Sequence, residues 1–230
     1  MALDTTNTIL AYEDMLKAGM HFGRKRTVFH PGMDEFLFTV KDGICIIDLL
    51  KTQEKLIAAA EELKTALTSG KLVLFVAATK QAEEGIRAIA DEVQMPYVLT
   101  RWLGGTLTNF KVINSRVRKL EELEKMAAEG GLEKYAKHEQ VRMRRELAKM
   151  QDRFGGLKRL TRMPDLVFVA SLKEGKLAVS ESARMNVPVI AIANTDSNPR
   201  DIAVAIPAND RSKISVDLLL NTIREQLLVR

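Results

Sequence analysis

Leu72-Val73-Leu74-Phe75-Val76-Ala77-Ala78 is seven residues without a charge or a hydrogen-bonding side chain. A strand with one wet face alternates apolar and polar residues. A strand with no polar residue is covered on both faces, as in a parallel sheet flanked by helices. Leu166-Val167-Phe168-Val169-Ala170 and Val187-Pro188-Val189-Ile190-Ala191-Ile192-Ala193 repeat the pattern. Around these runs apolar residues recur at helical spacing. Leu56, Ala59, Ala60, Leu63 and Leu67 mark a helix over 52–68, and Ala82, Ile86, Ile89, Ala90 and Val93 one over 81–93. Helices over 176–185 and 215–228 complete the set. Strands alternating with helices imply βαβ units and a three-layer α/β fold. Upstream, Phe36–Val40 and Ile44–Ile47 read as a hairpin turning at Asp42-Gly43.

From Asn109 to Phe154 the strand pattern stops. Ile113, Val117, Leu120 and Ala127 form one apolar seam, and Ala136, Met143, Leu147, Met150 and Phe154 another, with Gly130-Gly131 between them to supply a turn. The pattern predicts two antiparallel helices, a coiled-coil hairpin over 109–154 inserted into a discontinuous α/β domain of 1–108 and 155–230. Trp102, the only tryptophan, stands at the entry to this insertion, between a strand at Tyr97-Val98 and the first helix. It is expected to anchor the hairpin to the α/β domain, with Gly104-Gly105 giving backbone freedom and Thr108 or Asn109 capping the first helix.

Positive charge is concentrated in the same segment. Residues 101–162 hold 16 cations against 8 acids, so this stretch is net +8 in a chain of net +5, and the rest is acidic by 3. On the second helix His138, Arg142, Arg145, Lys149 and Arg153 recur at spacings of four and three, which lines them on one face. A solvated helix face is the plain alternative. Glu139, Glu146 and Asp152 lie mostly off the stripe and balance it poorly, whereas a phosphate backbone would offset it. A second cluster, Arg24-Lys25-Arg26, reads as a basic loop between Met20-His21-Phe22-Gly23 and Pro31-Gly32, suited to RNA backbone and exposed bases. The cations assigned to RNA contact are Arg24, Lys25, Arg26, Arg101, Lys111, Arg118, Arg142, Arg145, Lys149 and Arg153.

Other chemistries find little support. The single cysteine, Cys45, excludes an internal disulfide and a cysteine-based zinc site, and its apolar neighbours make it a core residue. His21, His30 and His138 have no metal-site spacing with carboxylates, so no metal and no cofactor are expected. Gly104-Gly105 completes no dinucleotide motif, and Lys80 follows a strand without a phosphate-binding glycine loop. Asp196, in Asn194-Thr195-Asp196-Ser197-Asn198-Pro199, sits where parallel sheets bind ligands. Its plainer reading is an Asx-type turn. An enzyme and a protein-only scaffold are the two alternatives to an RNA-binding structural protein. No apolar run approaches the roughly 20 residues of a membrane span. Met1-Ala2-Leu3-Asp4 has no basic region leading into an apolar one, which predicts a cytoplasmic protein.

The decapeptide Arg101-Trp102-Leu103-Gly104-Gly105-Thr106-Leu107-Thr108-Asn109-Phe110 resembles the signature of the bacterial small-subunit ribosomal protein family S-two. Similar matches follow in family order: Leu16 through Gly23, Asp42-Gly43-Ile44 through Asp48-Leu49, Thr79-Lys80-Gln81-Ala82, Gly155-Gly156-Leu157, Pro164-Asp165-Leu166, Pro188 through Ile192, and Ile206-Pro207. Departures are Arg24 after Gly23, Phe29-His30-Pro31, Ala170-Ser171, and Ala208-Asn209-Asp210-Arg211, and no acidic tail is expected after Arg230. The resemblance implies a three-layer flavodoxin-like parallel sheet with a projecting helical hairpin and a non-enzymatic place on the small ribosomal subunit between head and body. It implies ribosomal RNA and neighbouring small-subunit proteins as partners, including the large messenger-binding protein.

Overall fold

A computed structural model describes residues 9–228. The reading of Met1 to Asp4, and the end at Arg230, lie outside the described residues. The three wholly apolar runs form β4 (Val73–Val76), β6 (Leu166–Val169) and β7 (Val189–Ala193), every residue of them buried. With β5 (Tyr97–Val98) and β8 (Val204–Pro207) they make a five-stranded parallel sheet in the order β5-β4-β6-β7-β8. Counted within the sheet, that order is 2-1-3-4-5, the doubly wound arrangement of flavodoxin-like sheets.

Side chains alternate across this sheet as the pleat requires. Val73, Phe75, Leu166, Phe168, Ile190 and Ile192 face one layer, made by α2 (Leu49–Thr68), α3 (Glu83–Glu92) and α7 (Lys213–Leu228). Leu74, Val76, Val167, Val169, Val189 and Ala191 face the other. There they meet Ala178 and Val179 of α6 (Lys176–Arg184), together with Trp102, Leu107, Leu157 and Leu160. Asp48 starts α2 by accepting the Leu50 N–H at 2.9 Å, and Asp165 starts β6 by accepting the Leu72 N–H at 2.8 Å.

The expected hairpin is present as β2 (Leu37–Lys41) and β3 (Ile44–Ile47). Asp42 at φ 51° and Gly43 at φ 74° give the two left-handed positions that a tight antiparallel turn needs. Cys45 is fully buried. Two strands went unread in the sequence. One is β8. The other is β1 (Phe22–Lys25), which pairs antiparallel with β3 to complete a three-stranded sheet, β1-β3-β2. Arg24 and Lys25 are therefore on a strand, not in a loop, and only Arg26 opens the following 3-10 turn. Short α1 (Tyr12–Lys17) precedes this sheet.

Between β5 and β6 come α4 (Phe110–Ala128) and α5 (Lys137–Phe154), with no strand between. Gly130, at φ 72°, supplies the left-handed residue after α4. Ile113, Val117 and Leu120 are buried on α4, and Met150 on α5, with Met143 and Leu147 half-buried. Ala136 does not belong to the second seam: it is the exposed residue before α5, where Glu139 accepts its backbone N–H. Ile113 and Val117 pack into the same apolar cluster as Leu74 and Val167, so the first turns of α4 also cover the main sheet.

Candidate nucleic-acid interface

The α5 stripe is built by periodicity alone. Arg142, Arg145, Lys149 and Arg153 fall on one side of the helix and all are exposed, as is His138. Met143, Leu147 and Met150 take the side that packs inward. Ion pairs in this region use other cations: Lys119 with Glu146 at 3.4 Å, and Lys158 with Glu124 at 2.5 Å. Among the described residues, none of the four stripe cations is in an ion pair. Lys111 and Arg118 on α4 are exposed in the same way, as is Arg101 just before the α4 junction.

What fixes that junction is a residue the sequence reading passed over. Glu181, on the buried side of α6, is 7% exposed. Its Oε1 accepts the Trp102 Nε1–H at 3.1 Å and the Gly105 N–H at 2.7 Å. Its Oε2 accepts the Leu107 N–H at 3.0 Å and both the N–H and the hydroxyl of Thr108 at 3.2 Å. Burial alone would push this carboxyl up. The converging donors outweigh burial and hold it below the usual carboxylate range. Trp102 is buried at the hinge, as expected. The Thr108 hydroxyl is spent on Glu181, and Asn109 occupies the cap position of α4 without a side-chain cap bond. Of the two glycines, Gly105 uses its freedom, at φ 91°.

The N-terminal cluster divides. Lys25 and Arg26 are exposed, and the Arg26 guanidinium lies 4.3 Å from the Phe29 ring centroid. Arg24 turns inward: its side chain is 23% exposed and Nε donates to Asp196 Oδ2 at 3.2 Å. Lys173 donates to the same oxygen at 2.5 Å. Asp196 is thus more than a turn former. Burial pushes its carboxyl up, and the hydrogen bonds and charges of Lys173 and Arg24 overcome that and hold it low. The turn itself is closed by the backbone, from the Ser197 N–H to the Asn194 carbonyl.

The assigned cations therefore occupy two exposed places, the α4–α5 region with Arg101 and the β1 edge, while Arg24 is engaged within the protein. No helix among the described residues is long and apolar enough to cross a membrane. The family model described as Ribosomal protein S2 matches residues 15–228. The chain is 36% identical over 220 residues to the small ribosomal subunit protein uS2 of Salinibacter ruber, an overlap of 96% of this chain and 69% of that one. It is 39% identical over 216 residues to the protein of the same name from Parabacteroides distasonis, covering 94% and 78%.

Proposed function

The chain belongs to the ribosomal protein S2 family, and from that premise we propose that it is a structural, non-catalytic constituent of the small ribosomal subunit that binds ribosomal RNA in the cytoplasm. The observation that carries the RNA contact is the exposed, unpaired stripe of Arg142, Arg145, Lys149 and Arg153 on α5. Like charges at helical spacing repel one another in the free protein. A phosphate backbone turns that cost into affinity by releasing its counterions. Lys111, Arg118 and Arg101 extend the contact toward the α/β domain, and Lys25 and Arg26 offer a second one. Arg24 supports them from inside through Asp196.

In this reading 109–154 is a coiled-coil hairpin inserted into the α/β domain of 1–108 and 155–230. Support comes from the two consecutive helices, the left-handed Gly130 after α4 and the apolar residues on the inward sides. Neighbouring small-subunit proteins, including the large messenger-binding one, are the protein partners. Co-sedimentation tests the whole reading. The protein should remain with small ribosomal subunits through a high-salt wash, and its absence from those particles would sink the proposal.

A further inference from the structure

Arg26-Thr27-Val28-Phe29 closes a 3-10 turn, in which the Phe29 N–H donates to the Arg26 carbonyl at 3.2 Å. Residues three apart eclipse in that geometry, so the local fold sets the Arg26 side chain over the Phe29 ring. The guanidinium carbon lies 4.3 Å from the ring centroid. Phe29 is half-buried and packs against the apolar cluster that covers the sheet, whereas Arg26 is exposed. One face of the guanidinium is thus backed by the ring, and the other meets solvent.

The pair is held from both sides. The Arg26 N–H donates to the Gly43 carbonyl at 2.8 Å, and the His30 N–H to the Thr195 carbonyl at 2.9 Å. A surface fixed in this way loses little freedom when something lies on it. Among the described residues the Arg26 guanidinium has no ion pair and no side-chain hydrogen bond.

Net charge does not single this place out. Lys25, Arg26 and Lys41 are exposed, but so are Asp34, Glu35 and Asp42, the last in the turn beside Gly43. That balance suits neither a phosphate track nor an acidic peptide. What the place offers is a flat cation on an aromatic backing. Guanidinium planes and aromatic rings are the surfaces on which unpaired bases stack. A carboxylate would use the edge of the guanidinium and gain nothing from the ring behind it. A base within a duplex already has both faces covered.

We propose that Arg26, backed by Phe29, is the stacking platform for one unpaired base of an RNA strand. The inference rests on the RNA-binding reading above and deepens it, by giving Arg26 a base where the neighbouring Lys25 has phosphate.

The test uses the full chain with two labelled probes, a single-stranded oligoadenylate and a fully paired RNA duplex of the same length, read by fluorescence anisotropy. Arg26→Lys keeps the charge and removes the plane. It should weaken binding of the single strand about five- to tenfold, the scale of one stacked base, and binding of the duplex by less than about twofold. The loss should be equal at low and high salt, because the number of charges is unchanged. Phe29→Leu keeps an apolar side chain on the cluster and should give a loss of the same kind. Equal weakening of both probes by Arg26→Lys would overturn the proposal by making Arg26 a phosphate contact. No weakening of either would overturn it too, and leave the pair a contact within the protein only. Displacement of the single strand by polyglutamate as readily as by unlabelled oligoadenylate would replace the base with an acidic partner. The RNA-binding reading itself fails separately, through absence of salt-sensitive binding to either probe.

Discussion

The sheet and the α4–α5 region treat charge in opposite ways. Around the sheet, charged groups meet partners inside the protein: Glu181 takes five hydrogen bonds, Asp165 takes the Leu72 N–H and Arg162, and Asp196 takes Arg24 and Lys173. On α5 the cations are many and the stripe has no internal partner among the described residues. Burial differs in parallel. All four residues of β4 are buried, whereas α5 has Met150 alone fully so. One region satisfies itself and is stable by its own contacts. The other leaves its charge for something outside, and beyond the first turns of α4, where Ile113 and Val117 join the cover of the sheet, it buries few side chains.

That contrast can be broken most severely by cutting. Replacing residues 109–154 with a short Gly/Ser linker removes Ile113 and Val117 from the sheet's cover, and loss of cooperative unfolding is expected. Replacing only 125–149 should leave a soluble domain with a single unfolding transition, since Glu124 and Gln151 are already joined at 3.0 Å across the cut. If the shorter cut also prevents folding, the outer halves of the helices belong to the core and the contrast is false.

Trp102→Ala comes next. Truncating a buried tryptophan costs about 3–5 kcal/mol, read from urea unfolding, and a loss below about 1 kcal/mol would show that the ring is not the anchor described above. Glu181→Gln is expected to be milder, about 2 kcal/mol, because one acceptor remains for several of the donors. It also has a pH signature. Folding holds the Glu181 and Asp196 carboxyls below their ordinary values of 4.5 and 3.8. The stability they contribute is therefore complete above those values and is lost as pH falls through the lowered ones. Stability should decline below about pH 4, and Glu181→Gln should flatten that decline. An acid limb identical in both proteins would contradict the lowered Glu181 value.

Smallest in stability is the triple change of Arg142, Arg145 and Lys149 to Glu. These exposed positions should shift unfolding by no more than about 0.5 kcal/mol. Binding to small-subunit RNA should nevertheless weaken, with a salt slope shallower by about two to three. An unaltered slope would move the main contact to Lys25 and Arg26.

The central strands were legible because a strand covered on both faces tolerates no polar residue, and Val73 to Val76 has none. Strand β1 was hidden for the converse reason. Phe22-Gly23-Arg24-Lys25 is a short, half-exposed edge whose partner, β3, lies some twenty residues away, and three cations in a row look alike in a list of charges. On a strand, neighbours point to opposite sides, which is how Arg24 comes to meet Asp196 while Lys25 meets solvent. Glu181 went unmentioned in the sequence reading. Its signal was positional: it stands three residues after Ala178 and beside Ser182, on the side of α6 that both bury. A carboxylate there needs donors, and a glycine-rich stretch with free backbone N–H groups is where to look for them. No local pattern connects Arg24 with Asp196, because the pair is 172 positions apart.

That long span bears on the order in which the molecule is made. The Arg24 N–H donates to the Thr195 hydroxyl, the His30 N–H to the Thr195 carbonyl, and the Asn209 N–H to the Met20 carbonyl. At roughly 5–20 residues per second of synthesis, the opening segment waits on the order of 10–40 seconds before its partners emerge. During that interval β1 and β2, the two outer strands of the small sheet, must keep their exposed edges out of trouble, and cations at Lys25, Arg26 and Lys41 discourage the pairing of one nascent chain with another. The segment from Met20 to His30 is made early and locked in place late.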